Sequence, residues 1–178
     1  MSGRRAKFCV GFTVAAAVLL ALPAVTSAQS TWNFDITTTG QDVSWLSPTS
    51  VDPTATLYST EYAVTLLEVK VSWLGIPFGP INATDQIPPE FAAGTGALPG
   101  PAPIALLDQP VAFPEPPEPQ AFAATLSIGL DGAGFGFASA TNVVLGTLQV
   151  NLGFPFGTQT VQITSIRMAG SLTIHPTW

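Results

Sequence analysis

The 178-residue chain is 47% hydrophobic and only 9% charged, with 17 Pro, 16 Gly, one Cys and one His; this excludes a disordered chain and suits a compact, turn-rich one. Three of its five bases, Arg4, Arg5 and Lys7, precede residue 8, so from residue 29 onward only Lys70 and Arg167 stand against eleven acids, a net charge of −9. Such a chain repels a phosphate backbone and an anionic membrane surface, which removes nucleic acid from the natural partners.

Residues 1–28 read as a secretory signal peptide helix: the basic front, an apolar run from Val10 to Leu22, then Pro23 and small residues ending at Ala28. Cleavage after Ala28 is expected, leaving one domain over 29–178, no stable membrane span, and a secreted or cell-surface location. Phe8 to Val25 is apolar enough for an uncleaved anchor, but Gly11, Thr13 and Pro23 favour cleavage. Arg4-Arg5 is followed by Ala6-Lys7-Phe8, a poor match to a twin-arginine signal. Cys9 would leave with the signal, so the mature chain is cysteine-free and lacks disulfides, thiol catalysis and Cys-ligated metals.

From Thr31 the pattern alternates, with Trp32, Phe34 and Ile36 on one side and Thr31, Asn33 and Asp35 on the other, which predicts a half-buried strand. A second strand is predicted over Glu61 to Leu74, where Leu67, Val69, Val71 and Trp73 share a face. Between Pro77 and Pro119 lie 12 of the 17 prolines. That density predicts a Pro-rich loop strapped over the surface, with regular ladders confined to short edge pieces such as Ile104 to Leu107. Strand signals return at Ala121–Gly129, Ala133–Ala140, Val143–Leu152 and Gln159–Ile174. They are separated by a two-residue hairpin signal at Asp131-Gly132, a tight turn at Thr141-Asn142 and a longer loop at Gly153–Gly157. Apolar parity changes within the last segment, which implies a bulge near Thr164-Ser165.

Seven or eight strands with uncharged outer faces and no substantial helix after the signal predict an all-β protein. The expected form is a single antiparallel β-sandwich of jelly-roll or immunoglobulin-like kind.

Few residues are equipped for chemistry. His175, the sole imidazole, lies three residues from the last, which argues against a Ser/His/Asp triad or a multi-His metal site and predicts a solvent-facing side chain at a fraying strand end. Carboxylates are the abundant reactive groups, and Glu61, Glu68, Asp85 and Glu90 are the candidates for a glycan-cleaving pair, although their spacing selects none. Calcium is the metal the composition suits, with Asp131 its best local ligand, yet alternating acids are missing and a hairpin turn is the simpler reading. Trp32 and Trp73 fall in phase with core residues, whereas Trp45 and Trp178 are freer, so Trp45 is the candidate ligand contact, a ring for stacking on sugar. An outer-membrane barrel is disfavoured by Pro176, by two tyrosines and by the Pro-rich block.

The opening Trp-Asn-Phe-Asp-Ile-Thr-Thr-Thr-Gly-Gln-Asp-Val-Ser-Trp, the short signal, the low charge and the paired triplets Pro114-Glu-Pro and Pro117-Glu-Pro carry a resemblance. The chain looks like uncharacterised secreted β-rich bacterial proteins of the kind associated with Pro-Glu-Pro sorting tails. The resemblance implies export and no known activity. Here the triplets are internal and followed by a strand bearing Asp131, so no sorting mechanism is carried over.

The expected function is that of a secreted, non-enzymatic surface, matrix or adhesion-type structural protein of the bacterial envelope, able to self-associate because its charge is low. The alternative is a carbohydrate-binding module, calcium-dependent in one version, that takes polysaccharide at Trp45 and the Pro-rich loop. A carboxylate-based glycan-acting enzyme stands third. No catalytic residue, resident metal or cofactor is assigned.

Overall fold

The computed structural model describes residues 29–49, 51, 52, 54–99, 105–113 and 121–178. The segment read as a signal peptide, Cys9 and the Pro-Glu-Pro triplets lie outside the described residues. The described residues form two curled antiparallel sheets. In chain order the strands are β1 (Ser30–Thr38), β2 (Val43–Ser47), β3 (Leu57–Trp73), β4 (Ile76–Asn82), β5 (Ala93–Pro99), β6 (Ala105–Phe113), β7 (Phe122–Leu130), β8 (Gly136–Leu145), β9 (Thr147–Asn151) and β10 (Thr158–Thr177). A 3-10 turn at Thr84–Gln86 and a single helical turn α1, Pro89–Ala92, separate β4 from β5.

The larger sheet is built on the two longest strands, β3 and β10, paired from Gln162↔Ser72 to Thr177↔Leu57. Shorter strands divide the outer edges: β1 and β9 pair with successive parts of β10, and β4 and β5 with successive parts of β3. The smaller sheet has the order β2-β8-β7-β6. Gly146 marks the crossing from one sheet to the other. Its N–H donates to the Ala121 carbonyl and its carbonyl accepts from Ile163 N–H, so β8 ends in the smaller sheet and β9 begins in the larger.

Period-two alternation puts one face of each sheet into a common buried cluster. Trp32, Phe34 and Ile36 of β1, Leu67, Val69 and Val71 of β3, and Ile166, Met168, Leu172 and Ile174 of β10 meet Phe122, Leu126, Ile128 and Leu130 of β7 and Ala138 and Ala140 of β8. The parity change in β10 is absorbed where expected: Ile163 pairs with Val71 and Ser165 with Lys70, leaving Thr164 as the extra residue. A second bulge makes Thr65 the extra residue on β3, between Leu66↔Ala169 and Val64↔Gly170.

Four expectations are corrected. The segment from Pro77 to Pro119, read as a loop with short edge pieces such as Ile104 to Leu107, carries β4, β5 and β6, of which only the start of β6 falls on an expected piece. Its prolines are compatible with ladders because Pro77, Pro80, Pro99 and Pro110 all sit in strands at a sheet edge, where every second N–H points away from the single neighbouring strand and can be missing without loss of an inter-strand bond. Thr141-Asn142 is not a turn but a bulge within β8: the register steps from Thr125↔Thr141 to Ala123↔Val144, and Asn142 takes up the extra residue at φ 54°. The β7–β8 connection spans 131–135 rather than two residues. Asp131 caps it, one carboxylate oxygen accepting from the N–H groups of Ala133 and Phe135 at 2.9 and 2.8 Å. Finally, His175 is half-buried within a paired strand, opposite Ser59, because β10 continues past it to Thr177.

Candidate functional site

Three aromatic rings join the sheets at one edge. Trp32, 5% exposed, lies between Phe34 at 5.8 Å and Trp45 at 5.5 Å, the latter ring nearly parallel to it at 22°. Trp45 belongs to β2, an edge strand of the smaller sheet, and reaches the free edge of β1 in the larger one. It keeps 38% of its surface, enough for contact with a ligand but not the freedom of a loop residue. We expect Trp45→Ala to lower stability by about 1–2 kcal/mol, since it removes a stacked pair together with part of the cover over Trp32; a urea titration measures this, and an unchanged midpoint would contradict the stacking.

Trp45 lies on the wall of a depression of about 600 Å³ on the outer face of the larger sheet, with Asn33 and Asp35 of β1, Ser171 of β10 and Thr65 of the β3 bulge. Small residues make the floor low: Ala169 and Gly170 line it. A second depression of about 490 Å³ adjoins it through Ser171 and continues over Glu61 and Ala63 of β3 to Gly94 and Thr95 of β5. Tyr62 covers Gly94, where a Cβ would stand 2.5 Å from its ring, and its hydroxyl donates to the Glu90 carbonyl at 3.3 Å. Burial raises the Tyr62 phenol above its ordinary pKa. Together the depressions form an open, hydroxyl-lined trough across four strands.

Beside the trough, Arg167 of the central strand β10 forks onto Asp35 through Nε and Nη2 at 2.9 and 2.6 Å and reaches Glu68 through Nη1 at 2.9 Å. These charge-assisted hydrogen bonds hold the Asp35 carboxyl below its usual range, against an opposing effect of burial. The native state therefore binds that proton less tightly than the unfolded chain. The contribution is complete above the unfolded carboxylate value of about 4 and is lost as pH falls through the lower native value. Replacing Arg167 by Gln should lower the thermal midpoint at neutral pH, with the gap to the parent closing as pH drops below about 4. A gap that stays constant to pH 2 would exclude the pairing.

The carboxylates proposed for glycan cleavage do not converge along β3. Glu61 and Glu68 are seven residues apart on one strand, roughly 20 Å at the rise of a strand, whereas a cleaving pair works at about 5–10 Å. Glu68 is already bound to Arg167, Asp85 lies in the 3-10 turn and Glu90 in α1. Among the described residues no three His, Cys, Asp or Glu groups are placed to hold a metal ion.

A second surface feature lies at the end of the larger sheet where the β3–β4 and β9–β10 turns meet. Leu74 in the first turn and Ile76 at the start of β4 are 84% and 64% exposed, and Phe154 and Phe156 of the second turn are 101% and 51% exposed. Trp73 and Phe156 touch edge to face at 5.2 Å, joining the two. Trp73, expected in the core, is half-buried here and packs against the margin of the core cluster. The Gly153–Gly157 loop closes as its glycines suggest, with φ 79° and 63° at its ends and Leu152 N–H donating to the Gly157 carbonyl. Sequence reading located that loop but not the apolar cluster it presents. The available signal was Phe-Pro-Phe between two glycines, at positions where turns normally carry polar residues.

No protein-family model, curated protein or solved structure shows significant similarity to the chain, so function rests on geometry and chemistry alone.

Proposed function

We propose that the chain is an exported, non-enzymatic β-sandwich of jelly-roll or immunoglobulin-like kind that works by surface contact in the bacterial envelope or matrix. The observation that carries this reading is the joined apolar tip, where four large side chains face solvent together. A chain this poor in catalytic groups has little other use for such exposure, and contiguous apolar patches mark contact surfaces. The test is fractionation of cells that export the full chain. The parent should remain with the envelope, and Phe154→Ser/Phe156→Ser should move most of it into the medium while leaving its thermal midpoint within a few degrees. Equal retention of both would sink this reading.

A second reading, polysaccharide binding, is favoured by one specific observation: Trp45 stands on the wall of a trough lined by Asn33, Thr65 and Ser171. Rings beside hydroxyl and amide groups suit sugar faces and edges. Retardation in gels containing dissolved polysaccharide, with and without calcium, should weaken at least tenfold in Trp45→Ala when run well below the variant's unfolding midpoint. Retardation that Trp45→Ala leaves unchanged would remove this site.

A further inference from the structure

We propose that the tip formed by the β3–β4 turn and the β9–β10 loop inserts into an electrically neutral lipid surface. The proposal rests on the contact reading above and names what the tip contacts.

The strongest observation is Leu74. It occupies the first central position of a two-residue turn with φ 50°, followed by Gly75 at φ 82°. Such turns favour Asn-Gly, because a bulky side chain is strained at positive φ. Leu74 is also 84% exposed. Backbone conformation and hydration both disfavour leucine here, and nothing inside the fold compensates for it. An unfavourable residue at a projecting turn points to a partner outside the chain.

Shape and charge select that partner. Phe154 is as exposed as a residue in an extended chain, so the tip is convex and a protein partner would have to supply a matching cavity, whereas lipid conforms to whatever enters it. Four side chains on two turns also fall short of the roughly 800 Å² per partner of a stable dimer. No charged residue occurs between Lys70 and Asp85 or between Asp131 and Arg167, so both hairpins are uncharged. Behind the apolar residues stand exposed Gln149, Asn151, Thr158 and Thr160, suited to a headgroup layer, and Trp73 beside them suits the interface. Of the two bases, Arg167 is held by Asp35 and Glu68, which leaves Lys70 as a single exposed positive charge on β3 against eleven acids, too little to draw the tip to anionic headgroups that those acids repel. The chemistry therefore matches zwitterionic lipid.

The experiment is flotation of the full chain with phosphatidylcholine vesicles. Parent and variants all carry Val18→Asp and Leu20→Asp, which interrupt the N-terminal apolar run, so that flotation reports the tip. Phe154→Ser/Phe156→Ser should reduce the bound fraction at least tenfold. Leu74→Asn should raise the thermal midpoint, because it relieves the turn, and still bind several-fold more weakly, a combination that a purely structural leucine would not produce. Replacing a third of the lipid by an anionic one should weaken binding. Failure of the parent to float, or equal flotation of parent and serine variant, overturns the proposal. Envelope retention that depends on Phe154 and Phe156 without flotation would also overturn it while leaving the contact reading intact. A concentration-dependent dimer lost in the serine variant, again without flotation, would assign the tip to a second copy of the chain.

Discussion

Replacing Gly170 by alanine is expected to destabilise the fold by about 3 kcal/mol or more, the upper range for forcing atoms into a packed interior. A Cβ at this position would stand 2.1 Å from the Ala63 carbonyl oxygen, 2.9 Å from the Val64 Cα and 2.7 Å from the Phe34 ring. Two of those three neighbours are backbone of the adjoining strand, so no rotamer change relieves them. The approach is close because β3 carries its extra residue, Thr65, at this point, and because Phe34 lies opposite Gly170 in the ladder. For a chain of this size the cost corresponds to a fall in thermal midpoint of roughly 6–12 °C. Phe34→Leu should not rescue it. A midpoint within 2 °C of the parent would mean that β3 and β10 are not this close.

Strands β1, β3 and β10 were legible because each alternates buried with more exposed residues over much of its length, and β7 because its large side chains Phe122, Leu126 and Ile128 fall on one parity. Phe34 against Asp35 and Val69 against Lys70 are enough to set their phase. The bulge at Thr164 was legible for the same reason, since burial on both sides of it required a change of parity. Strands β4 and β5 were not, nor was β6 beyond the edge piece expected at its start. Their prolines mark them as loop to any local reading, and what permits them is edge position, a property of the assembled sheet. Asn142 misled in the opposite sense, because the positive φ that suits a turn also suits a bulge.

The candidate sites divide along the same line. Trp45 stood out as an aromatic away from the main alternating runs, but the trough beside it depends on register, because Asn33, Thr65 and Ser171 come from three strands and a bulge brings them together. The Arg167 fork likewise joins residues 132 and 99 positions apart. Only the tip was within reach of local reasoning. An apolar residue before glycine in a two-residue turn, and two phenylalanines between glycines, contradict turn chemistry, and such contradictions gather at functional positions.

Trp32→Ala is the second large expected effect, about 3–5 kcal/mol, the range for deleting a buried aromatic side chain. Its ring fills the contact between the sheets: Trp45 stacks on it, and the β8 backbone comes so near that a Cβ at Gly136 would meet ring atoms at 2.8, 3.0 and 3.1 Å. Gly136→Ala alone should therefore cost about 1–3 kcal/mol. Here, unlike at Gly170, every close neighbour is side chain of a single residue. Trp32→Leu should free the volume that the new methyl group needs, so Trp32→Leu/Gly136→Ala should be less destabilised than the sum of the single variants by about 1–2 kcal/mol. Urea unfolding of the four proteins measures the coupling. Strict additivity would show that Trp32 does not lie on Gly136, and the packing of β1 against β8 would have to be redrawn.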